Sequence, residues 1–438
     1  MKTKSFQKDK VSVITLGCSK NLVDSEVMMA HLRDGGYDVQ HDKWRKGRNI
    51  VIVNTCGFID RAKEESVNTI LEYAEAKNQG KIEKLYVTGC LSQRYKDNLE
   101  EEISEVDAFF GTAELPKLLK RFKIDYKHEL VGERMLSTPS HYAYLKISEG
   151  CNRTCSFCAI PLMRGKHVSR PMEELENEAR NLARQGVKEI MLIAQELTFY
   201  GIDIYKTRQL PELLKRLSAV EGIEWIRLHY AYPAQFPLEI IDEMAVNPKV
   251  CHYLDIPLQH AANDVLKTMR RNISREETEA LISAIRSKIP DIAIRTTILV
   301  GHPGETPQQF EELKDFVRRM RFDRLGVFTY SHEEGTRAYK MEDAISEEEK
   351  QERAATLMAI QEEISLELNQ QRVGKEMKVL FDRKEGGYFI GRTQYDSPEV
   401  DNEVLVDATN SYVRVGDFAN VKIVRAEEFD LFGEVINS

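Results

Sequence analysis

Six of the seven cysteines of this chain fall into two groups of three that differ in spacing. One group is a compact C-x3-C-x2-C loop, formed by Cys151, Cys155 and Cys158. The other group is dispersed, and each member ends a β-like apolar run: Cys18, Cys56 and Cys90. Ferredoxin clusters are held by four thiolates, so three thiols per site leave one iron without a protein ligand. The pattern therefore predicts two metal clusters, each with one coordination position open for chemistry.

Other uses of these thiols compete with the cluster interpretation. A structural zinc site takes four protein ligands, commonly from paired knuckles, and no second knuckle accompanies the compact loop. The seventh cysteine, Cys251, belongs to neither group and is interpreted as a structural thiol. For the dispersed group the alternative is three unrelated buried cysteines, because free cysteine is often buried. Their equivalent position after three apolar runs favours a cluster.

The dispersed cysteines lie in a first segment, residues 8–125, where apolar runs alternate with helical patterns. Helices are predicted over 24–32, 61–76 and 92–103. Alternation of strands and helices indicates βαβ units and a doubly wound parallel sheet. Ligands of such sheets bind outside the carboxyl ends of the strands, which is where these three cysteines fall. Cysteines that are distant in sequence can therefore converge at one edge of this sheet.

A second segment, residues 137–366, repeats the alternation and should form a partial TIM-like βα barrel. Its predicted strands are 144–148, 189–194, 225–229, 253–256, 293–300 and 325–330, with helices such as 171–185 and 274–288 between them. The compact cysteine loop directly follows the first of these strands. A helix over 346–371 then leads into residues 369–438, where short strands separated by Gly, Asp and Pro predict a small all-β barrel.

Composition restricts the classes of protein further. The chain has 42% hydrophobic and 30% charged residues, as soluble globular proteins do, and no apolar stretch long enough to span a membrane. Its polar beginning, residues 1–10, does not resemble a signal peptide. We therefore expect a cytoplasmic protein, in which cysteine patterns indicate metal or catalysis more often than disulfides.

The charge of the chain bears on its partner. The formal net charge is −9, which counts against coating of nucleic acid through bulk positive charge. Residues 371–438 carry 9 lysines and arginines against 13 aspartates and glutamates, a net charge of −4. An acidic terminal barrel suits a basic protein partner better than RNA, whose phosphates dominate its affinity for proteins.

The compact loop after the first barrel strand resembles the radical S-adenosylmethionine superfamily. The resemblance implies that the open iron of a 4Fe–4S cluster on Cys151, Cys155 and Cys158 binds S-adenosylmethionine. An electron from this cluster cleaves the cofactor and yields a 5′-deoxyadenosyl radical, which abstracts hydrogen from an unactivated C–H bond. The loop is thus expected to be catalytic as well as metal-binding.

Three further features resemble the methylthiotransferases within that superfamily, over essentially the whole chain. These features are the dispersed cysteine domain, the flank Cys158–Pro171, and the terminal barrel, which resembles a TRAM substrate-recognition domain. The resemblance implies that Cys18, Cys56 and Cys90 hold a second 4Fe–4S cluster, which carries the sulfur and methylthio group to be inserted.

One branch of the family, RimO, methylthiolates the β-carbon of an aspartate in small-subunit ribosomal protein number twelve. Four segments resemble that branch: Ile160–Gly165, Ala194–Asp203, Arg295–Glu305 and Leu325–Gly335. His302 departs from the Phe expected in many relatives, but it lies outside the cluster ligands. The partners implied are this ribosomal protein, free or on the ribosome, and an electron donor that the sequence does not identify.

Four residues outside the cysteine groups are candidate contacts to S-adenosylmethionine. Gln195 and Glu196 end the second barrel strand and could meet its amino group or ribose, although a solvated strand end has the same pattern. Arg295 could hold a carboxylate through charge-assisted bonds or form a structural ion pair. Gly304 lies in a Gly-His-Pro-Gly-Glu segment that could shape the adenosine pocket or form a tight βα turn.

Two other functions remain as alternatives. The first keeps the chemistry but modifies adenosine in transfer RNA, as MiaB-like members of the family do, and it calls for a basic terminal barrel. The second is a non-catalytic two-cluster electron carrier, which calls for four cysteines per cluster and no barrel.

Overall fold

A computed structural model describes residues 9–42, 47, 49–127, 132–409 and 411–436. The outer bounds of the expected first and last domains, residues 8 and 438, lie outside these ranges, as do residues 1–8 of the polar beginning. Within the described ranges, no helix combines the length and apolar character needed to cross a bilayer.

The first segment forms a five-stranded parallel sheet with strand order β2-β1-β3-β4-β5. The strands are β1 (Lys10–Thr15), β2 (Asp38–His41), β3 (Ile50–Thr55), β4 (Lys84–Gly89) and β5 (Ala108–Phe109). The helices are α1 (Ser19–Asp34), α2 (Asp60–Asn78), α3 (Cys90–Glu102) and α4 (Leu115–Arg121). The expected parallel sheet is confirmed, and separate hydrophobic clusters cover its two faces.

Two helices of this sheet begin earlier than the sequence pattern predicts. Helix α1 starts at Ser19 rather than near residue 24, with Cys18 in an extended conformation just before it. Helix α3 starts at Cys90 itself rather than at residue 92. In both cases the helix follows the strand after at most a short turn, so polar residues of its first turn lie at the carboxyl edge of the sheet.

The second segment forms six parallel strands in the order β13-β12-β11-β10-β9-β6. These six strands are β6 (Tyr142–Lys146), β9 (Glu189–Ile193), β10 (Trp225–Leu228), β11 (Val250–Asp255), β12 (Ala293–Val300) and β13 (Arg324–Thr329). Two further short strands, β7 (Ser148–Glu149) and β8 (Val168–Ser169), form a separate two-stranded sheet. The helices are α5 (Ile160–Arg164), α6 (Met172–Arg184), α7 (Ile202–Tyr205), α8 (Leu210–Ser218), α9 (Glu239–Val246), α10 (Asn263–Thr268), α11 (Arg275–Lys288), α12 (Pro307–Met320) and α13 (Glu347–Gln370). Because β6 and β13 stand at the two ends of the order, the barrel is open, and the expected partial barrel is confirmed.

The apolar residues of these strands and of the helices that cover them form the largest hydrophobic cluster of the described chain. The large hydrophobic residues of α6 and α8 that face the sheet are fully or nearly fully buried, among them Leu175, Leu182, Leu213 and Leu217. Burial of this kind stabilises the fold by roughly 1.5–3 kcal/mol per large side chain. The rigid scaffold leaves the strand ends free to carry polar groups.

A two-stranded antiparallel ribbon closes the base of the compact cysteine loop. Ser148 pairs with Ser169 and Glu149 with Val168, so the chain leaves and re-enters the scaffold at one place. Gly150, directly before Cys151, has a φ of +75°, a conformation in which glycine has no steric penalty. The ribbon therefore fixes both ends of the loop.

The last segment is a closed five-stranded barrel in the order β14-β15-β16-β18-β17, as the sequence predicts. Its strands are β14 (Glu376–Glu385), β15 (Tyr388–Thr393), β16 (Glu403–Asp407), β17 (Phe418–Ala426) and β18 (Asp430–Val435). Buried ion pairs join it to the central sheet: Arg392 to Glu189 at 2.6 Å and Arg324 to Asp396. These contacts dock the barrel against β9 and β13 of the central sheet.

Candidate functional site

The dispersed cysteines come together at the carboxyl edge of the first sheet. Cys18 follows β1, Cys56 follows β3 and Cys90 follows β4, and these three strands are neighbours in the order of the sheet. Cys18 is exposed, whereas Cys56 and Cys90 are buried. Burial raises the pKa of the Cys90 thiol to about 12, and both Cys18 and Cys56 are close enough to add to this rise.

Gly17 allows the chain to bring Cys18 against Cys56. Its φ is +90°, and a Cβ placed on it would lie 2.6 Å from the Cβ and 2.8 Å from the Sγ of Cys56. Any larger residue would therefore meet both a backbone penalty and the neighbouring thiol. This glycine is required by the approach of two candidate ligands.

The compact loop gathers the second group of cysteines. The Cys158 amide donates to the Cys155 carbonyl at 3.3 Å, and the Arg153 amide donates to Cys151 Sγ at 3.4 Å. Arg271 donates to Cys155 Sγ at 3.3 Å. Burial raises the pKa of the Cys151 thiol to about 11 and that of the Cys158 thiol to about 12.

Each group offers three thiols, and thiolates are the donors that hold iron–sulfur clusters. In the described part of the chain, no three His, Cys, Asp or Glu side chains converge closely enough to bind a single ion. A mononuclear zinc site needs four ligands around one centre, whereas a cluster spreads its thiolates over several irons. Since burial raises the pKa values of Cys90, Cys151 and Cys158, cluster binding must release the protons of these thiols.

Arg164 joins the two cysteine groups. It lies at the end of α5, six residues after Cys158, and its side chain is only 2% exposed. Its Nε donates to Cys90 Sγ at 3.2 Å, and its terminal nitrogens donate to Asp24 at 2.6 Å, to Glu149 at 3.2 Å and to Asn21. One guanidinium from the flank of the compact loop therefore touches a ligand of the dispersed group.

Glu149 and Gln195 extend this network into the central sheet. Lys146 bonds Glu149 at 2.7 Å, and Gln195 donates to its other oxygen at 2.8 Å. Burial alone would raise the pKa of Glu149, but Lys146 and Arg164 hold that pKa at about 2. The Gln195 Oε1 atom is buried without a hydrogen-bond partner among the described residues, so it is available to a donor from a ligand.

The other predicted cofactor residues lie at the same face with different partners. Glu196 is buried, accepts from Arg153 of the cysteine loop at 2.6 Å and caps the 3-10 turn Leu197–Phe199 through Thr198. Arg295 lies 3.4 Å from Asp255 and 3.3 Å from Asp401 of the terminal barrel. Glu196 is thus bonded to Arg153 of the cysteine loop, and Arg295 lies between two buried carboxylates.

Gly304 lies in the turn after β12, in a left-handed conformation with φ +84° and open space where a Cβ would point. The turn approaches the cysteine loop through His302, whose Nε2 is 3.4 Å from Ser156 Oγ. Burial lowers the pKa of His302 to about 4, so it is neutral in this setting. His302 therefore supports the cysteine loop from the side of this turn.

Two aromatic residues complete the face. Tyr232 stands between the guanidiniums of Arg153 and Arg271, 3.9 and 4.2 Å from its ring centroid, and its hydroxyl is 3.9 Å from Cys155 Sγ. Tyr230 follows β10 and lies under the ammonium of Lys20, 3.3 Å from its ring centroid. Burial lowers the pKa of Lys20 to about 8.

Sequence reasoning did not single out Arg164, Glu149, Lys20, Tyr230 or Tyr232. Arg164 and Glu149 flank the cysteine motif, and this position could have identified them as part of the site. Lys20 lies two residues after Cys18, within the first turn of α1. Each of them acts through contacts with distant parts of the chain, which no local pattern contains.

Three family models match this chain in succession. "Uncharacterized protein family UPF0004" matches residues 10–111, the radical SAM superfamily matches 145–317, and the TRAM domain matches 373–436. Their order follows the three sheets of the structure.

Similar proteins among curated sequences carry the name "Ribosomal protein uS12 methylthiotransferase RimO". One from Cytophaga hutchinsonii is 63% identical, with 100% of each chain covered. One from Christiangramia forsetii is 59% identical, covering 100% of this chain and 96% of its own. One from Phocaeicola vulgatus is 55% identical, covering 98% of this chain and 100% of its own.

Solved structures share the fold at low sequence identity. The radical S-adenosylmethionine methyltransferase TsrM from Kitasatospora setae superposes with a TM-score of 0.56 at 15% identity, covering 87% of this chain and 80% of its own. The cobalamin-dependent radical enzyme OxsB gives a TM-score of 0.52 at 14% identity, covering 82% and 56%.

Proposed function

The chain belongs to the RimO family of radical S-adenosylmethionine methylthiotransferases, and on that premise we propose that it inserts a methylthio group at the β-carbon of an aspartate in ribosomal protein uS12. As a member of this family it is an S-adenosylmethionine-dependent transferase with two 4Fe–4S clusters. The observation that carries the proposal is the contact of Arg164 with Cys90, because it brings a sulfur-carrying site and a radical-generating site together.

We propose that each group of cysteines holds one cluster: Cys18, Cys56 and Cys90 the first, and Cys151, Cys155 and Cys158 the second. When bound, the second cluster supplies the electron that cleaves S-adenosylmethionine, and the first supplies the sulfur. The chain's own residues orient these groups. Arg164 neutralises thiolate charge at Cys90, and Arg271 does the same at Cys155. Gln195, Glu196, Arg295 and Gly304 are the proposed contacts to the cofactor.

The work is divided in this proposal among three domains: residues 8–125 for the sulfur-carrying site, 137–366 for the radical site and 369–438 for substrate recognition. Buried side chains link the domains, among them Arg134, whose guanidinium bonds Glu178 at 2.8 Å and also Glu26. Such pairs fix the positions of the two cysteine groups relative to each other. Removing one partner of a buried pair typically lowers the free energy of unfolding by about 3–5 kcal/mol.

A protein substrate is favoured over transfer RNA by the charge of the terminal barrel. Residues 371–438 have a net charge of −4, and Arg383, Arg392 and Arg425 are each paired with carboxylates of the barrel. Phosphate contacts need unpaired cations, whereas a basic ribosomal protein complements an acidic surface. We further propose that modification occurs in the cytoplasm, on or beside the ribosome, with reduction by a separate electron donor.

The test is an anaerobic reaction of the reconstituted protein with S-adenosylmethionine, sulfide and a reductant, offered purified uS12 and transfer RNA side by side. The proposal predicts a methylthio group on one aspartate of uS12, located by tandem mass spectrometry. A methylthiolated nucleoside with uS12 untouched would support the transfer-RNA alternative instead. Cleavage of the cofactor with neither substrate modified would contradict both.

A further inference from the structure

Lys20 is a buried cation that forms no ion pair with a carboxylate in the described structure. The residue is 8% exposed, and its ammonium lies over the face of Tyr230, at 3.3 Å from the ring centroid. Buried lysines are normally paired, because an uncompensated charge removed from water is costly. Its neighbours on the same face follow that rule.

The carboxylates nearest to Lys20 bond other cations, although Asp255 does so through Oδ1 alone and leaves its buried Oδ2 without a hydrogen bond among the described residues. Glu149 is bonded by Lys146 and Arg164, and Asp255 lies 3.4 Å from Arg295. Among the described residues, neither these nor any other carboxylate comes within ion-pair distance of the Lys20 ammonium. The Cys18 thiolate, Asp255 and Glu149 act on Lys20 through longer-range attraction, and the contribution of Cys18 is the largest of the three.

The position of Lys20 places this charge between the two cysteine groups. It stands two residues after Cys18, on the first turn of α1. Its ammonium reaches across to Tyr230, which follows β10 at the carboxyl edge of the central sheet. The Tyr230 carbonyl accepts from the Leu197 amide at 3.2 Å, in the segment that begins with Gln195 and Glu196. Lys20 is therefore a cation of the first domain that lies at the carboxyl edge of the central sheet, where the second domain would hold its substrates.

We propose that Lys20 binds the side-chain carboxylate of the target aspartate and thereby selects aspartate over its uncharged amide. This inference rests on the proposed function and names the residue that recognises its substrate. The γ-carboxylate carbon of aspartate is bonded directly to the β-carbon, so an anchor on the carboxylate fixes the reacting carbon within one bond. A charge-assisted hydrogen bond of this kind is stronger and better directed than a neutral one. Tyr230 holds the ammonium from its other side through a cation–π contact.

The experiment measures binding of uS12, and of uS12 with the target aspartate replaced by asparagine, to the cluster-loaded protein by fluorescence anisotropy. Wild type should prefer the aspartate form by about 10- to 100-fold, since hydrogen bonds to charged groups contribute about 1.5–3 kcal/mol. Lys20→Met should bind the two forms within about twofold of each other, mainly by losing affinity for the aspartate form. Lys20→Arg, which keeps the charge, should recover part of the preference.

The matched control is Lys77→Met, the same substitution at a lysine of the first domain that already pairs with Asp107 at 2.6 Å. It should keep the wild-type preference. Iron content is measured for every variant, and Lys20→Gln serves as a second neutral replacement.

Three results would overturn the inference: an unchanged preference in Lys20→Met, equal weakening of both uS12 forms, or loss of iron in both neutral variants. Equal weakening would assign Lys20 a purely structural role, for example holding Asp255 in place. These failures are distinguishable from failure of the proposed function, in which wild type itself neither binds nor modifies uS12.

Discussion

The two cysteine groups reach similar arrangements by opposite routes. The compact group is local: one loop, clamped at its base by a two-residue ribbon, supplies all three thiols. The dispersed group is assembled by a whole sheet, in which three parallel strands deliver one thiol each. A local site depends on its own backbone, whereas an assembled site depends on register and close approach across the fold. The second site should therefore be more sensitive to changes that lie outside its ligands.

Removing single thiols gives the largest expected effect. Cys56→Ala and Cys158→Ala should each reduce the iron content by about half, because each site loses one of only three protein ligands. Product formation should stop in both, since both clusters take part. Iron and labile sulfide are counted after anaerobic reconstitution.

Cys251→Ala is the matched control for these thiols. Cys251 is buried beside Trp225 and Tyr253, in a hydrophobic cluster without other cysteines. The Cys251→Ala variant should keep the iron content of wild type. A loss of iron in this variant would mean that Cys251 is a cluster ligand and that the two groups of three are wrongly assigned.

The link between the two sites is tested at Arg164. Arg164→Lys keeps a positive charge but loses the fork that reaches Cys90, Asp24 and Asn21 together. We expect both clusters to load and methylthio product to fall by about 10- to 100-fold, the cost of losing bonds to charged groups. Formation of 5′-deoxyadenosine should fall less, so that the ratio of cleavage to product rises. An unchanged ratio would show that the two sites work without this contact.

A substitution at Gly17 tests whether the dispersed site depends on the close approach of the chain at Gly17 to Cys56. Gly17→Ala combines a strained positive φ with a clash against Cys56, and should cost roughly 2–4 kcal/mol in the free energy of unfolding. Gly36→Ala is the control, since its φ is +91° but nothing lies within 4 Å of the added Cβ. It should cost about 1–2 kcal/mol, from the backbone alone. Urea unfolding of the two variants measures the difference, and equal costs would argue against the approach of Gly17 to Cys56.

If the compact cysteine loop depends mainly on its own backbone, a substitution at the neighbouring Tyr232 should have only a small effect on activity. Tyr232→Phe removes a hydroxyl that lies 3.9 Å from Cys155 Sγ and donates to the Arg271 carbonyl at 2.7 Å. One neutral hydrogen bond contributes about 1 kcal/mol, so the activity should fall by no more than about fivefold. Iron in the compact site should be retained. Loss of that iron would mean that the loop is not self-sufficient, and the contrast between the two sites would disappear.

Much of the fold could be predicted from the sequence because hydrophobic patterns of strands and helices are periodic. Alternating apolar runs and helical stretches predicted the parallel sheets, and the strand Ala293–Val300 has the bounds that the pattern predicts. Helix starts were less accurate, since Cys90 opens α3 directly after the strand and no capping residue marks that position.

The residues that surround the two cysteine groups were harder to predict than the convergence of the cysteines. Arg164 and Cys90 are 74 positions apart, and their contact exists only when the two sheets pack. The environment of Arg295 depends on Asp401, which belongs to the terminal barrel. Lys20 looks like an ordinary residue of an exposed helix until the fold buries it. Contacts between domains leave no periodic trace in a single sequence.

The most direct test of the account compares two products in one reaction of wild type and Cys56→Ala with uS12. The measurement is the ratio of methylthio-uS12 to 5′-deoxyadenosine, read by mass spectrometry and chromatography of the same sample. If the two sites are separate, wild type gives both products, and Cys56→Ala gives 5′-deoxyadenosine without methylthio-uS12. Methylthio-uS12 from Cys56→Ala would contradict the separation of the radical and sulfur-carrying sites.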